Sequence, residues 1–281
     1  MNPSLPAPRS RYLELDGREI HLNEWGEPGR PPLVMWHGLA RTGSDFAPCA
    51  RHFADRYHVL CPDTIGRGLS AWAPAADYRF AVYARIAEAL LDRYGFGAVR
   101  WLGTSMGGAL GMHLAGGSLR ERITHLAIND IGTELAAPAV ERIVTYVGNP
   151  PAFSGVRELE SYLRKVYAPY GYLSEEEWLR MAETSARRLP DGRITLHYDP
   201  AIVQQFVHSP GDYALGEAYE RIAAKTLLLR GAQSDLLTEA IAEAMTRSGP
   251  RARLEIIEGC GHAPALNVPA QLALLEEFFA T

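Results

Sequence analysis

The residues best suited to covalent chemistry lie in one short segment, Trp101 to Gly108. Within it, Gly103 and Gly107 stand two residues before and two residues after Ser105. A chain that turns sharply at a serine crowds its own backbone, and glycine relieves that crowding because it has no Cβ atom. A Gly-x-Ser-x-Gly pattern between a strand and a helix holds the hydroxyl outward. The segment therefore predicts that Ser105 is the nucleophile of an acyl transfer.

A serine hydroxyl needs a base that takes its proton. Nine histidines are present, and most fall in or beside predicted strands, in predicted helices, or in the middle of the chain. His262 differs from them because it follows the last predicted strand on a glycine-rich loop, Glu258 to Pro264. We therefore expect His262 to be the general base.

Two carboxylates are candidates for orienting the histidine, and each follows a predicted strand. Asp235 ends the short loop Gly231 to Asp235, which is well suited to aim a carboxylate, and it gives the order nucleophile, acid, base that is known for such sites. Asp130 follows the strand His125 to Asn129 directly. We expect Asp235 to be the acid, in which case Asp130 is a turn or helix-cap residue.

Backbone amides near Ser105 are the expected oxyanion donors. Met106 begins the helix after the serine, where the first amides have no partner within the helix and stabilise negative charge. The second donor is expected from the loop after the third strand, and Leu39 is the choice because Gly38 lets the backbone approach the substrate. His37 is expected to be a buried residue that shapes this loop by hydrogen bonding.

The elements that position these residues alternate along the chain. Predicted strands and helices follow one another up to Asn129, and strands resume at Thr226 to Leu229 and at Arg253 to Ile257. Such alternation predicts an α/β fold with a mostly parallel central sheet, helices on both faces, and an active site at the carboxyl ends of the strands. We expect residues 1–130 and 226–281 to form the core and residues 131–225 to form an inserted helical cap.

Composition limits the class of partner. The net charge is −5, and no cluster of basic residues of the kind that binds nucleic acid is present. No apolar run is long enough to span a membrane. The three cysteines show neither disulfide nor metal-ligand spacing. The segment Met1 to Arg11 lacks the apolar stretch that a secretory signal peptide contains. We expect a cytoplasmic enzyme with no cofactor and no metal that acts on a small molecule; whether it forms a homo-oligomer is left open.

Together these residues carry a resemblance to a known family. The ordered set of His37-Gly38, Gly103 to Gly107, Asp235 and Gly261-His262 resembles the α/β-hydrolase superfamily, in its serine-nucleophile branch with a helical cap. Pro62 to Ser70 is similar to that superfamily's loop after the fourth sheet strand, which is structural, so Asp63 and Ser70 are given no catalytic role. The serine at position 105 argues against the dehalogenases and epoxide hydrolases of this fold, which carry aspartate there.

The proposed cap is rich in aromatic side chains. Most are expected to form its core, and two or three are expected to face an apolar pocket over Ser105. The tyrosines of the segment are Tyr146, Tyr162, Tyr167, Tyr170, Tyr172, Tyr198, Tyr213 and Tyr219.

The expected function is hydrolysis of a small, largely apolar carboxylic ester or lactone by a Ser-His-Asp triad. One alternative is a carbon–carbon bond hydrolase of a ring-cleavage product, although such enzymes usually carry tryptophan where this chain has Ala263. The other alternative is a small-molecule receptor with slow turnover on the same fold. The fold alone does not separate these three functions, because fold does not determine function.

Overall fold

The computed structural model describes residues 7–135 and 137–281. In those residues the chain forms eleven strands and ten α-helices. The strands are β1 (Arg9–Leu15), β2 (Arg18–Trp25), β3 (Pro32–Trp36), β4 (His58–Pro62), β5 (Val99–Thr104), β6 (Ile123–Asn129), β7 (Ala152–Phe153), β8 (Ala186–Arg188), β9 (Ile194–Leu196), β10 (Lys225–Gly231) and β11 (Arg253–Ile257). The helices are α1 (Ala47–Phe53), α2 (Phe80–Arg93), α3 (Met106–Ala115), α4 (Ala137–Val147), α5 (Val156–Val166), α6 (Glu175–Ser185), α7 (Gln205–His208), α8 (Gly216–Glu220), α9 (Glu239–Arg247) and α10 (Pro269–Ala280).

Eight of these strands form one sheet, in the order β1-β2-β4-β3-β5-β6-β10-β11. β2 pairs antiparallel with both β1 and β4, and the remaining neighbours pair in parallel. The prediction of a mostly parallel sheet is therefore confirmed. β1 and β2 form a hairpin, whose turn holds Asp16 and Gly17 at positive φ.

Both faces of the sheet are buried. Successive side chains of a strand point to opposite faces, so each buried strand contributes to both apolar clusters. Along β3, Leu33 and Met35 join one apolar cluster, and Val34 and Trp36 join the other. α1 and α10 contribute to the cluster of Leu33, whereas α2 and α3 contribute to the cluster of Trp36. Helices on both faces thus hold the carboxyl ends of the parallel strands in fixed positions.

The segment between β6 and β10 is more mixed than the sequence predicts. It carries five helices, α4 to α8, and also a three-stranded antiparallel sheet in the order β7-β9-β8. The segment is tied to the loop after β4 by an isolated bridge between Arg67 and Tyr198 and by a hydrogen bond from Gly68 N to His197 O. This contact seats the segment on the loop that follows β4.

Two further features of the described residues concern the class of protein. No helix among them is long and apolar enough to cross a membrane. Cys49, Cys61 and Cys260 are buried free thiols.

Candidate active site

Ser105 stands on a sharp turn between β5 and α3. Its φ is 52° and its ψ is −117°, a backbone conformation that residues other than glycine rarely adopt. The turn depends on the flanking glycines, since a Cβ atom at Gly103 would lie 2.1 Å from the Gly107 carbonyl oxygen and one at Gly107 would lie 1.9 Å from the Trp36 carbonyl oxygen. Ser105 N donates to Asn129 O over 2.8 Å, which fixes the turn against the end of β6.

His262 reaches the serine from the loop after β11. Its Nε2 lies 2.9 Å from Ser105 Oγ, and its side chain is 25% exposed. The pair is therefore within hydrogen-bond reach while one edge of the imidazole remains open to a ligand. The structure thus brings together the predicted nucleophile and the predicted base.

Asp130 completes the hydrogen-bonded chain. It follows β6 directly, and its Oδ2 lies 2.7 Å from His262 Nδ1. Because a carboxylate only accepts, Nδ1 carries the proton and Nε2 is left to accept from the Ser105 hydroxyl. The Asp130 carboxylate is fully buried and also accepts from Gly231 N at 2.8 Å and from Ser234 Oγ at 2.6 Å. These bonds fix the Asp130 carboxylate, which in turn orients the His262 imidazole through Nδ1, on the side away from Ser105.

The expectation that Asp235 is the carboxylate beside His262 is wrong. Its side chain is 56% exposed and pairs with Arg142 at 2.6 Å. In the loop after β10 it is Ser234 that turns inward, toward Asp130, and the next residue consequently faces solvent. Asp130, the alternative weighed from the sequence, occupies the position beside the histidine.

The two residues predicted to supply oxyanion amides lie near the serine. Met106 is the first residue of α3, so its amide has no acceptor within the helix. The loop after β3 lies against the serine, because a Cβ atom at Gly38 would be 3.6 Å from Ser105 Cβ. Leu39 follows in that loop. That the amides of Leu39 and Met106 hold an oxyanion stays a prediction.

His37 supports this loop from within the core. Thr64 N donates to His37 Nε2 over 2.9 Å, so Nδ1 carries the proton and donates to Gly38 O over 2.7 Å. Burial lowers the pKa of His37 to about 4, which keeps the imidazole neutral near pH 7. His37 is therefore the buried hydrogen-bonding residue that the sequence predicts.

The loop after β4 contains a residue that the sequence analysis missed. Asp63 is structural as expected, since it accepts from Gly43 N at 2.7 Å and from Leu69 N at 3.0 Å. Arg67, between two glycines of the same motif, is fully buried, and its Nε donates to Leu39 O over 2.8 Å. Arg67 thus anchors the loop predicted to supply an oxyanion donor. A buried arginine leaves no signature in sequence that separates it from a surface one.

A cavity opens beside the hydrogen-bonded chain and encloses about 660 Å³ of empty space, including its mouth. Ser105 and His262 do not line it, but their neighbours Thr104 and Pro264 do, so the cavity abuts the site. Its wall mixes apolar and charged side chains. The lining residues are His37, Gly38, Arg41, Ser44, Asp45, Phe46, Pro48, Thr104, Tyr170, Leu173, Glu177, Arg180, Met181, Thr184, Pro264, Ala265 and Asn267.

The aromatic residues of the inserted segment are divided between core and surface. Tyr198, Tyr213 and Tyr219 are buried, whereas Tyr146 and Tyr172 are exposed. Tyr170 is the tyrosine among the cavity-lining residues. The cavity wall is consequently less aromatic and more charged than the sequence predicts.

The described residues contain no group of three or more histidine, cysteine, aspartate or glutamate side chains that could hold a metal ion. In this part of the chain the groups gathered at the carboxyl ends of β5, β6 and β11 are those of nucleophilic and acid–base chemistry.

Comparisons with known proteins agree with this fold. A family model described as the alpha/beta hydrolase fold matches residues 31–267. A 3-hydroxybutyrate-oligomer hydrolase of Cupriavidus necator is 40% identical over 269 residues, which cover 92% of this chain and 91% of that protein. A 3-oxoadipate enol-lactonase of Acinetobacter baylyi is 33% identical over 103 residues, 36% of this chain and 38% of that protein. The crystal structure of an alpha/beta hydrolase from Novosphingobium aromaticivorans superposes with a TM-score of 0.85 at 31% identity and covers 98% of both chains.

Proposed function

The chain belongs to the α/β-hydrolase family, and from that premise we propose that it hydrolyses carboxylic esters through an acyl-enzyme on Ser105. The observation that carries the proposal is the unbroken chain of hydrogen bonds from Ser105 Oγ through His262 to the buried Asp130. A strained serine, a histidine of defined tautomer and a buried carboxylate are the parts that acyl transfer requires.

In the acylation step, Ser105 Oγ attacks the ester carbonyl carbon while His262 Nε2 takes the hydroxyl proton. Asp130 stabilises the imidazolium that forms, and the amides of Leu39 and Met106 hold the oxyanion. The tetrahedral intermediate then collapses, the carbon–oxygen bond of the leaving alcohol breaks, and His262 returns its proton to that alcohol.

In the deacylation step, water takes the place of the alcohol. His262 Nε2 removes one proton from the water as its oxygen attacks the acyl carbon of the Ser105 ester. Collapse of this second intermediate expels Ser105 Oγ, which regains its proton from the imidazolium. The acid is released and the enzyme returns to its starting state, so the reaction consumes one water and no cofactor.

For the substrate, we propose short linear oligoesters of 3-hydroxybutyrate or a closely similar aliphatic hydroxy acid. The relative from Cupriavidus necator bears the name of such an activity and aligns over nine tenths of both chains. The charged wall of the cavity, with Arg41, Asp45 and Arg180, suits a compact polar ester better than the largely apolar substrate expected from sequence. Residues 131–225 then serve as the cap that closes over the bound chain.

The test of this function uses the purified protein and a linear trimer of 3-hydroxybutyrate, with acid release followed by titration. We expect turnover in the usual enzyme range of about 1 to 1000 per second. Ser105→Ala should abolish both turnover and labelling by a fluorophosphonate probe, whereas Ser118→Ala, at an exposed serine, is the matched control. Retained labelling of Ser105→Ala would exclude Ser105 as the nucleophile.

The same assay separates the alternatives. A product release far slower than about 1 per second would favour a receptor. A vinylogous 1,5-diketone cleaved faster than any ester under identical conditions would favour the carbon–carbon hydrolase.

A further inference from the structure

Two arginines stand on facing walls at the mouth of the cavity. Arg51 belongs to α1 and Arg180 to α6, and both line an outer groove together with Pro48 and Glu177. Arg180 also lines the inner cavity, whose wall includes Gly38 and Thr104 beside the serine. Arg180 therefore stands where the outer groove and the inner cavity meet.

In the described part of the chain, neither guanidinium has a carboxylate within 4.0 Å. The Nε atoms of Arg51 and Arg180 are also buried without a hydrogen-bond partner. A buried donor on a charged group costs free energy unless an acceptor meets it. The Arg51 guanidinium carbon lies 5.9 Å from the centre of the Trp25 ring, which accounts for part of its charge. Arg180 thus keeps a guanidinium that no described carboxylate meets.

The other charged groups around the cavity already have hydrogen-bond partners within the protein. Arg41 holds Asp45 through two hydrogen bonds of 2.7 Å. Glu177 Oε2 accepts from Ser174 N and Oγ in the capping box of α6, and its Oε1 accepts from Asn267 Nδ2 at 2.9 Å. The charges of Arg41 and Asp45 therefore compensate each other, and the oxygens of Glu177 are satisfied by neutral donors.

The rim of the outer groove carries one more acid. Glu176 lines it and is exposed, so water screens its charge from the two arginines. Among the described side chains at this mouth, the buried donors left without an acceptor are consequently those of Arg51 and Arg180.

We propose that Arg180, assisted by Arg51 at the rim, binds the free carboxylate at the acid end of the substrate. This inference rests on the proposed function, because every linear oligoester of a hydroxy acid ends in one hydroxyl group and one carboxylate. The carboxylate end leaves with the alcohol when an ester bond is cut. The protein therefore binds the part of the substrate that leaves as the alcohol, and it shortens the oligoester from its carboxylate end.

An arginine suits this role because its planar fork can meet both oxygens of a carboxylate at once. A lysine keeps the charge but loses the fork. Arg180→Lys should consequently retain part of the effect, and Arg180→Gln should lose it.

The test compares the linear trimer acid with its methyl ester, which differs only in lacking the charge. Arg180→Gln should lower kcat/KM for the acid by about tenfold or more and change that for the methyl ester by no more than about twofold. Arg157→Gln, at an exposed arginine of α5 that lines neither cavity, is the matched control. The preference of the wild-type protein for the acid should also shrink as salt is raised.

Two outcomes overturn the inference while leaving ester hydrolysis intact. One is a wild-type protein that cleaves the acid and its methyl ester equally well. The other is an Arg180→Gln variant whose kcat/KM falls to the same extent for both substrates, which would indicate a structural role for Arg180.

A binding measurement keeps the inference testable even if the proposed function fails. Calorimetry on the Ser105→Ala protein should show the trimer acid binding more tightly than its methyl ester, and adding Arg180→Gln should weaken binding of the acid by about tenfold. Equal affinities would overturn the inference. Failure of the proposed function would show itself separately, as absent turnover and absent probe labelling of the wild-type protein.

Discussion

At the scale of single residues, the position of Asp130 explains how a buried charge is tolerated beside His262. Three donors meet its carboxylate: His262 Nδ1, Gly231 N and Ser234 Oγ. These donors satisfy both oxygens of the carboxylate, and the bond with Nδ1 holds the imidazole in one tautomer. The hydrogen bonds thus serve both the stability of the loops and the proposed chemistry.

Asp130→Asn should therefore lower kcat by about two to four orders of magnitude. An amide in this position can donate to Nδ1, which favours the tautomer that cannot accept from Ser105. Asp235→Asn is the matched control, because that carboxylate is exposed and pairs with Arg142 on the surface. Steady-state kinetics on an activated ester will measure both. Equal losses in the two variants, or a larger loss in Asp235→Asn, would contradict this assignment.

The pairing of Ser105 with His262 could be predicted from sequence, whereas the carboxylate beside His262 could not. Ser105 is marked by the glycines that its turn requires, and His262 by its loop after the last strand. Asp130 and Asp235 both follow strands. The choice between them depends on which side chain of the loop after β10 turns inward, and Ser234 does so. Nothing in the spacing of the residues encodes that direction.

At the scale of elements, Arg67 ties together the pieces that surround the site. Its Nη1 donates to Ile65 O at 2.8 Å and to Tyr83 Oη at 2.9 Å, and its Nη2 lies 3.5 Å from Met106 Sδ. With its bond to Leu39 O, one side chain links the loops after β3 and β4 to α2 and α3. The rings of two tyrosines, Tyr78 and Tyr83, lie 5.6 and 5.4 Å from the guanidinium carbon.

Arg67→Lys should destabilise the protein by about 2 to 4 kcal/mol, because an ammonium group cannot reach all of these acceptors and stays buried with donors unmet. It should also lower kcat/KM, since the Leu39 loop loses its anchor. Denaturant unfolding and kinetics will measure the two effects. Arg85→Lys, which changes an exposed ion pair with Asp16, should alter stability by less than about 0.5 kcal/mol. Wild-type stability and activity in Arg67→Lys would refute the anchoring role.

At the scale of the whole molecule, the main sheet could be predicted because its strands are long enough to show a pattern. β3 is a continuous apolar run, and β10 contains one at Leu227 to Leu229, as is typical of parallel strands buried on both faces. In α2, Val82, Ile86 and Leu90 stand four residues apart, and all three are buried. The sheet of the inserted segment could not be predicted, because β7 has two residues and β8 and β9 have three each, too few to show a period.

The stability of the whole chain in acid should depend on its buried histidines. Burial lowers the pKa of His37 to about 4, and burial together with the positive charges of Arg100 and Lys225 lowers that of His125 to about 4. In the unfolded chain a histidine titrates near 6.5. Between these values the unfolded state binds more protons than the folded state, so the free energy of unfolding falls as the pH is lowered from 6.5 toward 4.

We expect His37 alone to contribute about 3 kcal/mol to this fall, because its side chain is almost wholly buried. His37→Gln, which keeps an acceptor for Thr64 N, should remove that part of the pH dependence even if it lowers stability at pH 8. Denaturant unfolding at pH 8 and pH 4.5 will measure the difference for each protein, and titrations shared by both proteins cancel. His208→Gln, at an exposed histidine, is the matched control. The same fall in His37→Gln as in the wild-type protein would show that His37 is not the group whose protonation drives acid unfolding.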